Sequence, residues 1–422
     1  MFDVLIVGGG MVGASLACGL GVKKNSSSDS GDLPLRVGII EPKSDFLNGE
    51  FGADGRASAV AFGSSQIWQQ IGLWSGMVQR GVTPMHMIEI SDQDFGWRVQ
   101  LKRDQIEREA LGYIVENSVT LGAAWQFMQE CTNIELICPA MVKDIDLGDR
   151  SMRVKISTSL GDQYLETKLL VAADGGRSLV RKLAQIPTQE KTYDQTCIVL
   201  SLKLEHSHQN IAYERFQSSG PFAILPLDTP QKTGDRCCVV WTATSQEAPA
   251  LLKLELADFL LELRKRFGQE LSDRLGNFSL EAPPASYNPR WLHSQTYIKP
   301  RLVLIGDAAH CTHPVAGQGM NLGIRDIGAL TEILQIAHQA KEDLGSLKVL
   351  NRYQNQRRWD NLAIIWLTNV TNRLFSNQIL LLKLIRRLGL AIVSWLPVKQ
   401  LVMYLMMGLL IRQPKLGSHS AD

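Results

Sequence analysis

The N-terminal twenty residues carry the pattern that most constrains the fold. Residues 2–7 are apolar and rich in β-branched side chains, which is typical of a buried strand. They lead into Gly8-Gly9-Gly10-Met11-Val12-Gly13, and a helix-like stretch follows over 14–20. In this Gly-x-Gly-x-x-Gly order, Gly8 permits the tight turn, Gly10 lets a pyrophosphate approach the backbone, and Gly13 packs the helix against the strand. Because the start of the helix offers unpaired N–H groups to phosphates, we predict a Rossmann-like dinucleotide site.

A second predicted strand supports this site. Residues 36–40 form a short apolar run that ends in Glu41, and an acidic residue at such a strand end is expected to bind the adenosine ribose. The interval from Gly13 exceeds the usual spacing of about 20 residues. We interpret the polar tract from Lys23 to Leu33 as a surface insertion that accounts for the excess. The alternative for Glu41 is an ordinary solvated strand end.

Charge is distributed unevenly along the chain. The net charge of the 422 residues is only +2, which gives no indication of nucleic-acid binding. Residues 351–422, however, hold ten Lys/Arg and two Asp/Glu, whereas the first 350 hold 34 and 40. A basic, apolar C-terminal region on a mildly acidic body indicates a membrane surface as a partner. The composition, with 45% hydrophobic residues, excludes a mainly disordered or collagenous chain, and the length suits two or three domains.

The cysteines and the N-terminus bear on the cellular compartment. The seven cysteines form no Cys-x-x-Cys pair, and their odd number argues against a complete disulfide framework. Reduced thiols in a cytosolic setting are the simplest interpretation. The chain begins Met1-Phe2-Asp3 without a basic segment or a small-residue cleavage site, so we predict no signal peptide. We therefore expect a cytoplasmic protein that is peripheral on the membrane.

Two further acidic residues follow predicted strands far downstream. The apolar run 169–173 ends in Asp174-Gly175, and the run 302–305 ends in Gly306-Asp307. Ligands of open α/β sheets bind at the carboxyl ends of the strands, so both positions are candidates for a site. A glycine-containing loop, His313-Pro314-Val315-Ala316-Gly317-Gln318-Gly319-Met320-Asn321, then leads into an amphipathic helix. The N-terminus of that helix can face a partial negative charge.

These motifs together resemble a known family, the flavin-dependent aromatic hydroxylases of the para-hydroxybenzoate hydroxylase fold. Three motifs match in order, namely the Gly8–Gly13 fingerprint, Asp174-Gly175 and Gly306-Asp307. The tract from His313 to Asp326 is similar to the signature of the ubiquinone-biosynthesis branch. The resemblance covers about residues 1–370 and is weakest over 185–285. It implies an α/β fold with a Rossmann-like FAD-binding domain, a β-sheet substrate domain and a C-terminal amphipathic helical region.

The resemblance implies a role for individual residues. Glu41 would hold the adenosine ribose, Arg56 would approach the phosphates, and Asn117 would contact FAD. Asp174 belongs to a motif linked with both FAD and NAD(P)H, and Asp307 would bind the ribityl chain. The loop would cradle the flavin ring, with Pro314 on the substrate side of the flavin. The cofactor-binding residues that the resemblance implies are Gly8, Gly10, Gly13, Glu41, Arg56, Asn117, Asp174, Asp307, Gly317, Gln318, Gly319, Met320 and Asn321.

The implied activity is a monooxygenase reaction. NAD(P)H would reduce the flavin, and one oxygen atom of O2 would be transferred to an electron-rich aromatic ring. The protein must then exclude water, orient the ring and stabilise developing charge. No acid or base is assigned; Pro314 and Gly317 are the predicted catalytic-site residues at the flavin edge. We also expect valine at Gly319 to place a branched side chain where the backbone meets the flavin, and to block a positive φ if the loop requires one there.

The implied substrate is an aromatic and prenylated phenol of ubiquinone or plastoquinone biosynthesis, and assembly with other quinone-biosynthesis proteins is a further expectation. A hydroxylase of a small soluble phenol and a non-catalytic flavin-binding membrane scaffold are the alternatives. His310 and His313 are spaced like metal ligands, but no third ligand lies nearby, so we predict no metal. Structural hydrogen bonding is favoured for both, with flavin or substrate contact as the alternative.

The predicted domains are discontinuous. Residues 1–80, 101–184 and 286–370 would form the FAD-binding domain, and residues 81–100 and 185–285 would form a β-rich substrate domain. In the latter we predict strands over 196–204, 213–217, 223–226 and 237–244 and a helix over 251–267.

Residues 371–422 form the predicted basic helical tail. Its apolar runs are interrupted by charges or end after eleven residues, which is short of the ~18 residues of a membrane span. Basic and Trp-bearing segments of this kind suit a helix in the lipid interface. The alternative is a helical hairpin packed against the body or a partner subunit.

Overall fold

The computed structural model describes residues 1–24, 33–52, 55–92, 95–229, 232–314, 317–375, 389, 392, 395–410 and 412–416. Most of the predicted surface insertion and the first half of the predicted basic tail, with Lys383, Arg386 and Arg387, lie outside these residues. Val315 and Ala316 of the glycine-containing loop also lie outside them.

The described residues form strands that we number in chain order. They are β1 Phe2–Val7, β2 Val37–Ile40, β3 Ala57–Ala61, β4 Thr83–Met85, β5 Met87–Asp92, β6 Phe95–Lys102, β7 Gly112–Glu116, β8 Ile134–Ile137, β9 Ala140–Leu147, β10 Met152–Thr158, β11 Gly161–Ala172, β12 Thr188–Thr192, β13 Gln195–Leu204, β14 Ile211–Gln217, β15 Gly220–Thr229, β16 Lys232–Thr244, β17 Phe278–Leu280, β18 Ala285–Tyr287, β19 Arg290–Ser294, β20 Ile298–Lys299, β21 Leu302–Leu304 and β22 His310–Cys311.

The α-helices of the described residues are numbered in the same way. They are α1 Met11–Leu20, α2 Asp45–Asn48, α3 Phe62–Ile71, α4 Trp74–Arg80, α5 Asn117–Gln129, α6 Leu179–Leu183, α7 Ala248–Leu251, α8 Leu256–Phe267, α9 Gln269–Leu275, α10 Gln318–Gln339, α11 Leu347–Phe375 and α12 Leu396–Met406.

A largely parallel sheet organises the nucleotide-binding part of the chain. Its order is β20-β21-β11-β1-β2-β8, and β1 is paired in parallel with both β2 and β11. Strand β10 extends it by antiparallel pairing with the first half of β11, and β9 pairs in turn with β10. Strands such as β1 and β2 are buried on both faces, so they consist of continuous apolar runs instead of alternating ones. The carboxyl ends of β1, β11 and β21 consequently lie side by side.

A second eight-stranded sheet has the order β17-β13-β16-β15-β14-β5-β6, with β18 beside β13. Successive side chains of each strand point to opposite faces of this sheet. Trp241 of β16 packs with Phe259 and Phe267 of α8 on one face, whereas its neighbours Val240 and Thr242 line a cavity on the other. Two three-stranded sheets, β12-β19-β22 and β3-β7-β4, complete the described strands.

Helices α1 and α10 complete the nucleotide-binding part. Both are buried over most of their length and belong to the same large apolar cluster as β1 and β2. The predicted helix over 251–267 is wrong in its extent. The segment is divided into α7, which ends at Leu251, and α8, which begins at Leu256.

The described part of the tail packs against the body. Met403 of α12 and the following Met407 are buried in one cluster with Val99 and Leu101 of β6. The backbone N–H of Gly63 also donates a hydrogen bond to the carbonyl oxygen of Met407, at 2.8 Å. Among the described residues no helix is both long and apolar enough to cross a bilayer.

Candidate functional site

The Gly8–Gly13 turn has the geometry of a phosphate-binding loop. Gly8 has φ of 101°, a conformation that favours glycine. A Cβ on Gly13 would lie 1.9 Å from the carbonyl oxygen of Gly8, so helix and strand approach each other closely there. A Cβ on Gly10 would meet no protein atom within 4 Å among the described residues, and Gly10 lines the cavity. Space for a ligand therefore lies at Gly10, the position expected to admit a pyrophosphate.

Glu41 lies at the carboxyl end of β2 and is buried. One carboxylate oxygen accepts a hydrogen bond from the N–H of Gly9, at 2.7 Å, and the other from the N–H of Lys43, at 3.0 Å. Glu41 therefore fixes the glycine turn against the next strand. Each carboxylate oxygen has a second lone pair, so the residue can still accept hydrogen bonds from hydroxyl groups of a ligand.

Asp174 and Asp307 follow the adjacent strands β11 and β21. Asp174 accepts a hydrogen bond from the N–H of Val180 through Oδ2, at 3.1 Å, while its Oδ1 is buried without a hydrogen-bond partner among the described residues. Asp307 faces the cavity, and desolvation by the surrounding protein raises the pKa of its carboxyl group, although His310 and Arg290 partly offset this effect. Both carboxylates thus have unused capacity for ligand hydroxyl groups.

The cavity has a volume of about 900 Å³ and joins the two large sheets. On one side it is lined by the glycine turn, the end of β21 and the start of α10, and on the other by the second eight-stranded sheet. Residues of α11 and α12 close a third side. The sequence-predicted residues that line it are Gly10, Arg56, Asn117, Asp307, Pro314, Gly317, Gln318, Gly319, Met320 and Asn321.

The remaining sequence-predicted residues do not line this cavity. They are Gly8, Gly13, Glu41 and Asp174, which shape or support the turn beside it. Asn117 begins α5, and its side-chain oxygen accepts a hydrogen bond from the hydroxyl of Ser58 at 3.0 Å. Its backbone N–H donates to the carbonyl oxygen of Arg56, also at 3.0 Å. Arg56 and Asn117 are thereby held together on the cavity wall.

Asn321 connects the loop before α10 to β3. Its side-chain oxygen accepts a hydrogen bond from the N–H of Ala61 at 2.8 Å, and its amide nitrogen donates to the carbonyl oxygens of Ala59 and Gly317 at 2.9 and 2.8 Å. The side chain is 1% exposed, so it makes these bonds inside the protein. Asn321 is therefore a residue that positions the loop.

Among the described residues of this loop, Gly317 and not Gly319 has a positive φ. Gly317 precedes α10 with φ of 60°, and a Cβ there would lie 2.7 Å from the Cβ of Ala59. Gly319 lies in the first turn of α10, where a Cβ would make only an ordinary contact, 3.8 Å from Thr312. Gly317, the residue before α10, has no side chain with which to cap the helix, and the positive end of the helix dipole lies at the cavity.

Asp326 organises the polar groups behind the site. It is fully buried and accepts hydrogen bonds from the N–H of Gly306, from Arg357 and from Asn361, and it lies 2.6 Å from Nε2 of His310. Burial alone would raise the pKa of Asp326, but the neighbouring His310 and Arg357 hold it below the usual value. Asp326 thus ties α10 and α11 to the turn that presents Asp307.

His313 is also buried and hydrogen-bonded. Its Nε2 lies 3.0 Å from the side-chain oxygen of Gln195, and desolvation lowers its pKa to about 3. The part of the chain that the structure describes contains no group of His, Cys, Asp or Glu side chains that could hold a metal ion. All seven cysteines lie in the described residues, and none of them forms a disulfide bond.

One charged residue of the cavity lining, Glu214, was not predicted from the sequence. Glu214 lies on β14 among apolar lining residues, and desolvation raises its pKa to about 7. The polar residue in the middle of the strand Ile211–Gln217 is the available sequence signal, but the sequence does not indicate which sheet face looks onto the cavity.

The comparisons with known proteins agree with this geometry. A family model described as an FAD binding domain matches residues 1–361. The chain belongs to this family. The ubiquinone hydroxylase UbiL of Rhodospirillum rubrum is 38% identical over 98% of this chain and 91% of that protein. The 3-demethoxyubiquinol 3-hydroxylase of Escherichia coli is 30% identical over 92% of this chain and 93% of that protein. The resemblance to the flavin-dependent aromatic hydroxylases of the ubiquinone branch is confirmed.

A solved structure shows the same fold. The p-nitrophenol 4-monooxygenase PnpA of Pseudomonas putida superposes with a TM-score of 0.77 at 20% identity, covering 98% of this chain and 99% of that one. The predicted fold class is therefore confirmed. The protein is an FAD-dependent aromatic hydroxylase, and the space at Gly10, the available carboxylates of Asp174 and Asp307 and the start of α10 fit the flavin cofactor.

Proposed function

We propose that the protein hydroxylates the aromatic ring of a prenylated phenol on the path to ubiquinone, with NAD(P)H and O2 as co-substrates. The observation that carries this proposal is the cavity of about 900 Å³. It extends from the glycine-containing loop before α10, which we call the predicted flavin loop, to an apolar sheet face. That volume is at the upper end of the range of small-molecule sites, about 300–1,000 Å³. The relatives named above favour a ubiquinone precursor over a plastoquinone precursor.

The residues of the chain would divide the task of binding FAD. Glu41 and the Gly8–Gly13 turn would hold the adenosine ribose and the pyrophosphate, and Asp307 would accept hydrogen bonds from the ribityl hydroxyls. Arg56 and Asn117 would contact the cofactor from the opposite wall. When bound, the flavin supplies the two-electron chemistry with NAD(P)H and the activation of O2.

The start of α10 would stabilise negative charge at the flavin edge. Gly317, Gln318, Gly319 and Met320 line the cavity, and the 22-residue helix presents the positive end of its dipole there. Asn321 and Asp326 hold the loop and the helix, so the N–H groups are oriented before the ligand arrives. Pro314 would separate the flavin from the ring that is to be hydroxylated.

The wall opposite the flavin loop would receive the aromatic ring and its apolar chain. The lining residues from the second sheet, α11 and α12 are mostly Val, Leu, Ile, Met and Phe. Such a wall desolvates the ring and excludes water, which favours oxygen transfer over side reactions. We therefore assign residues 81–100 and 185–285, with α11 and α12, to substrate binding, and the rest of the body to FAD.

A membrane surface is the proposed source of the substrate. Large apolar side chains are exposed on α11 and around α12, among them Trp366, 63% exposed, and Trp395, 66% exposed. Leu367 of α11 and Leu405 of α12 are partly exposed and also line the cavity. An exposed apolar surface that continues into the cavity suits a lipid-soluble substrate.

The test of the function uses the purified protein loaded with FAD. We expect NAD(P)H oxidation to increase on addition of a geranyl-substituted phenol and mass spectrometry to detect a product heavier by one oxygen atom. A small phenol without the chain serves as the comparison. Equal turnover of both phenols would instead support a hydroxylase of small soluble phenols, and flavin without turnover of either would support the non-catalytic scaffold.

A further inference from the structure

Glu214 lies in the wall of the cavity opposite the predicted flavin loop. Four residues of β14 line the cavity, namely Ala212, Tyr213, Glu214 and Phe216, and three of them, 212, 214 and 216, share one face of the strand. Glu214 is only half-buried because its side chain reaches the cavity. A carboxyl group is thus placed on the wall where the proposed function places the substrate ring.

The neighbours of Glu214 are apolar. Its register partner on β15 is Ala223, and its register partner on β5 is Ile90, and both of these also line the cavity. Two residues further along β14, Phe216 stacks on Phe375 of α11 with 3.9 Å between ring centroids. These residues desolvate the carboxylate without offering it a hydrogen bond.

Few charged groups of the described structure share this environment. The charged residues that line the cavity are Arg56, Glu214 and Asp307, and the other two lie with the proposed cofactor contacts. On the cavity-facing side of β5, Asp92 is the register partner of Phe216 and is buried. Arg373 of α11 is exposed, and the α12 residues at the cavity are Val402, Leu405 and Met406. The pKa of Glu214, about 7, is raised by desolvation alone.

We propose that Glu214 is a catalytic residue that contacts the phenolic hydroxyl group of the substrate and accepts its proton. This inference rests on the proposed function, because it takes the substrate to be a phenol. An ionised phenol is richer in electrons at the ring carbons and accepts an oxygen atom more readily. Glu214 would therefore prepare the ring for hydroxylation without contacting the oxygen atom that is transferred.

The phenolic proton moves to Glu214 and later returns to the product. The O–H bond of the phenol breaks, a new O–H bond forms on a carboxylate oxygen of Glu214, and the electron pair of the broken bond stays on the phenolate oxygen. By the established flavin chemistry, one atom of O2 is then inserted into a ring C–H bond, so that the hydrogen of that bond is replaced on the ring by a hydroxyl group. The other atom of O2 leaves as water, with the hydride equivalent of NAD(P)H and one proton from solvent. Glu214 returns its proton to the phenolate oxygen, so the carboxylate is restored.

The environment of Glu214 suits this transfer. An ordinary glutamate has a pKa of about 4.3 and a phenol one of about 10, so a solvated carboxylate is a weak acceptor for a phenolic proton. The apolar wall raises the pKa of Glu214 to about 7 and so brings it closer to the pKa of the phenol. At neutral pH, Glu214 is still ionised in a substantial fraction of the molecules. A general base is most effective when its pKa is near the working pH.

The experiment compares the FAD-loaded wild-type protein with Glu214→Gln, which keeps the size of the side chain but cannot accept the proton. Glu166→Gln is the matched control, because Glu166 is half-exposed on β11 and does not line the cavity. The probes are a geranyl-substituted phenol and its O-methyl ether, which has no proton to lose. The readouts are kcat for hydroxylation at several pH values, FAD content and flavin reduction by NAD(P)H.

We expect Glu214→Gln to lower kcat for the phenol by roughly 10²–10⁴-fold while FAD content and flavin reduction are unchanged. The wild-type and Glu166→Gln rates should rise with pH through about 7, and the Glu214→Gln rate should lose this dependence. The residual rate with the O-methyl ether should be the same in all three proteins. Wild-type kcat and an unchanged pH profile in Glu214→Gln would overturn the proposal.

A binding measurement separates this proposal from the proposed function. If the wild-type protein binds both probes but hydroxylates neither, the proposed function fails, and binding affinity still tests the contact. The wild-type protein should prefer the phenol over its O-methyl ether, with a preference that changes as Glu214 ionises, and Glu214→Gln should lose this pH dependence. The same pH-dependent preference in both proteins would overturn the role of Glu214.

Discussion

Gly10 and Gly13 belong to one motif, yet a methyl group would meet different surroundings at each. At Gly13 it would lie 1.9 Å from the carbonyl oxygen of Gly8, whereas at Gly10 it would meet no described protein atom within 4 Å. We expect Gly13→Ala to lower the free energy of unfolding by about 3 kcal/mol, through overpacking. Gly10→Ala should leave the stability of the FAD-free protein within about 1 kcal/mol of wild type but weaken FAD binding at least tenfold.

Urea unfolding of the FAD-free proteins and fluorescence titration with FAD measure the two effects separately. If Gly10→Ala bound FAD as tightly as wild type, the pyrophosphate would not lie against Gly10. Equal stability of Gly13→Ala and wild type would mean that the turn can relax away from α1.

The pKa of Glu214 predicts a pH-dependent stability. Because the folded-state pKa, about 7, exceeds the value of an unfolded glutamate, the folded state binds the proton more tightly. The resulting stabilisation is complete below about pH 4.5 and is lost as the pH rises to about 7. Water that enters the cavity partly solvates the carboxylate, so we expect the free energy of unfolding to fall by about 2 kcal/mol over this pH range. The free energy of unfolding of Glu214→Gln, measured relative to wild type by urea unfolding, should therefore increase by about 2 kcal/mol from pH 4.5 to pH 8.

A constant difference between the two proteins at both pH values would contradict this prediction. Glu166→Gln, on the exposed part of β11, is the control and should show no comparable change.

Individual residues differ in how far the sequence alone could assign them. The turn at Gly8 and the close packing at Gly13 were predicted correctly, because the motif implies this geometry, whereas the pyrophosphate contact of Gly10 remains a prediction. Gly317, not Gly319, has the positive φ, since a run of glycines does not tell where the helix begins. Glu214 was missed because its role depends on the sheet face, which only the paired strands define.

At the scale of elements, the loop before α10 depends on one side chain. Asn321 makes three hydrogen bonds, to Ala59, Ala61 and Gly317, and thereby joins α10 to β3. Asn321→Ala would leave these buried backbone groups unpaired, at a cost of about 3 kcal/mol in the free energy of unfolding. It should also weaken FAD binding, because the loop loses its position. Thermal unfolding with and without FAD measures both effects.

Asn351→Ala on the exposed face of α11 is the control and should be close to neutral or slightly stabilising, since alanine favours helices. Wild-type stability and FAD affinity of Asn321→Ala would show that other contacts hold the loop.

Several elements followed from their sequence patterns, and others did not. The strand over Phe2–Val7 and the strands β13 and β14 were predicted within two residues because their apolar runs are bounded by polar or glycine-containing segments. Strand β16 begins five residues before the predicted start at 237. The break between α7 and α8 was missed. No glycine or proline lies over 252–255, so local propensity gives no signal. Tertiary packing fixes the two helices separately, through buried Ala248 in one and Phe259 and Leu263 in the other.

At the scale of the whole molecule, pairing between distant segments builds the cavity. Strands β5 and β6 join the second eight-stranded sheet by parallel pairing of β5 with β14, more than 100 residues later in the chain. Local sequence patterns cannot predict such pairing, and the family resemblance was its source. Strand β12 lies in the predicted substrate domain and β19 in the predicted FAD-binding domain, yet the two pair with each other outside that sheet. The domain boundaries near 185 and 286 therefore remain a prediction.

The described end of the chain packs against the body and also has exposed apolar side chains. Met403 and Met407 pack into the body, as expected for a packed helix. Leu401, 59% exposed, and Leu410, 56% exposed, leave apolar surface on the outside. Of the basic residues of the tail, Lys399 lies on α12, and Arg412 forms an ion pair with Glu332 of α10. The same segment can therefore close the cavity with one face and present apolar side chains with the other.

Membrane binding is the prediction that belongs to the whole molecule, because α11 and the region of α12 would contribute to one surface. We expect the protein to float with vesicles that contain anionic lipid. Replacing Trp366, Trp395 and Leu401 together by serine should reduce the bound fraction at least tenfold. Each exposed large apolar side chain gains about 1–3 kcal/mol when it is buried in lipid, and basic residues of the tail add about 1 kcal/mol each near an anionic surface.

The matched control for this surface is Leu160→Ser. Leu160 is 89% exposed in the turn between β10 and β11, on the nucleotide-binding sheet, and should not contact the vesicle. High salt should release only part of the wild-type protein, since it screens the basic residues but leaves the apolar contacts. FAD content and turnover of a small phenol should be equal in all variants, because none of these side chains lines the cavity. If the triple variant floated as well as wild type and Leu160→Ser, α11 and α12 would not form the membrane-binding surface, and a lipid-soluble substrate would have to enter the cavity by another route.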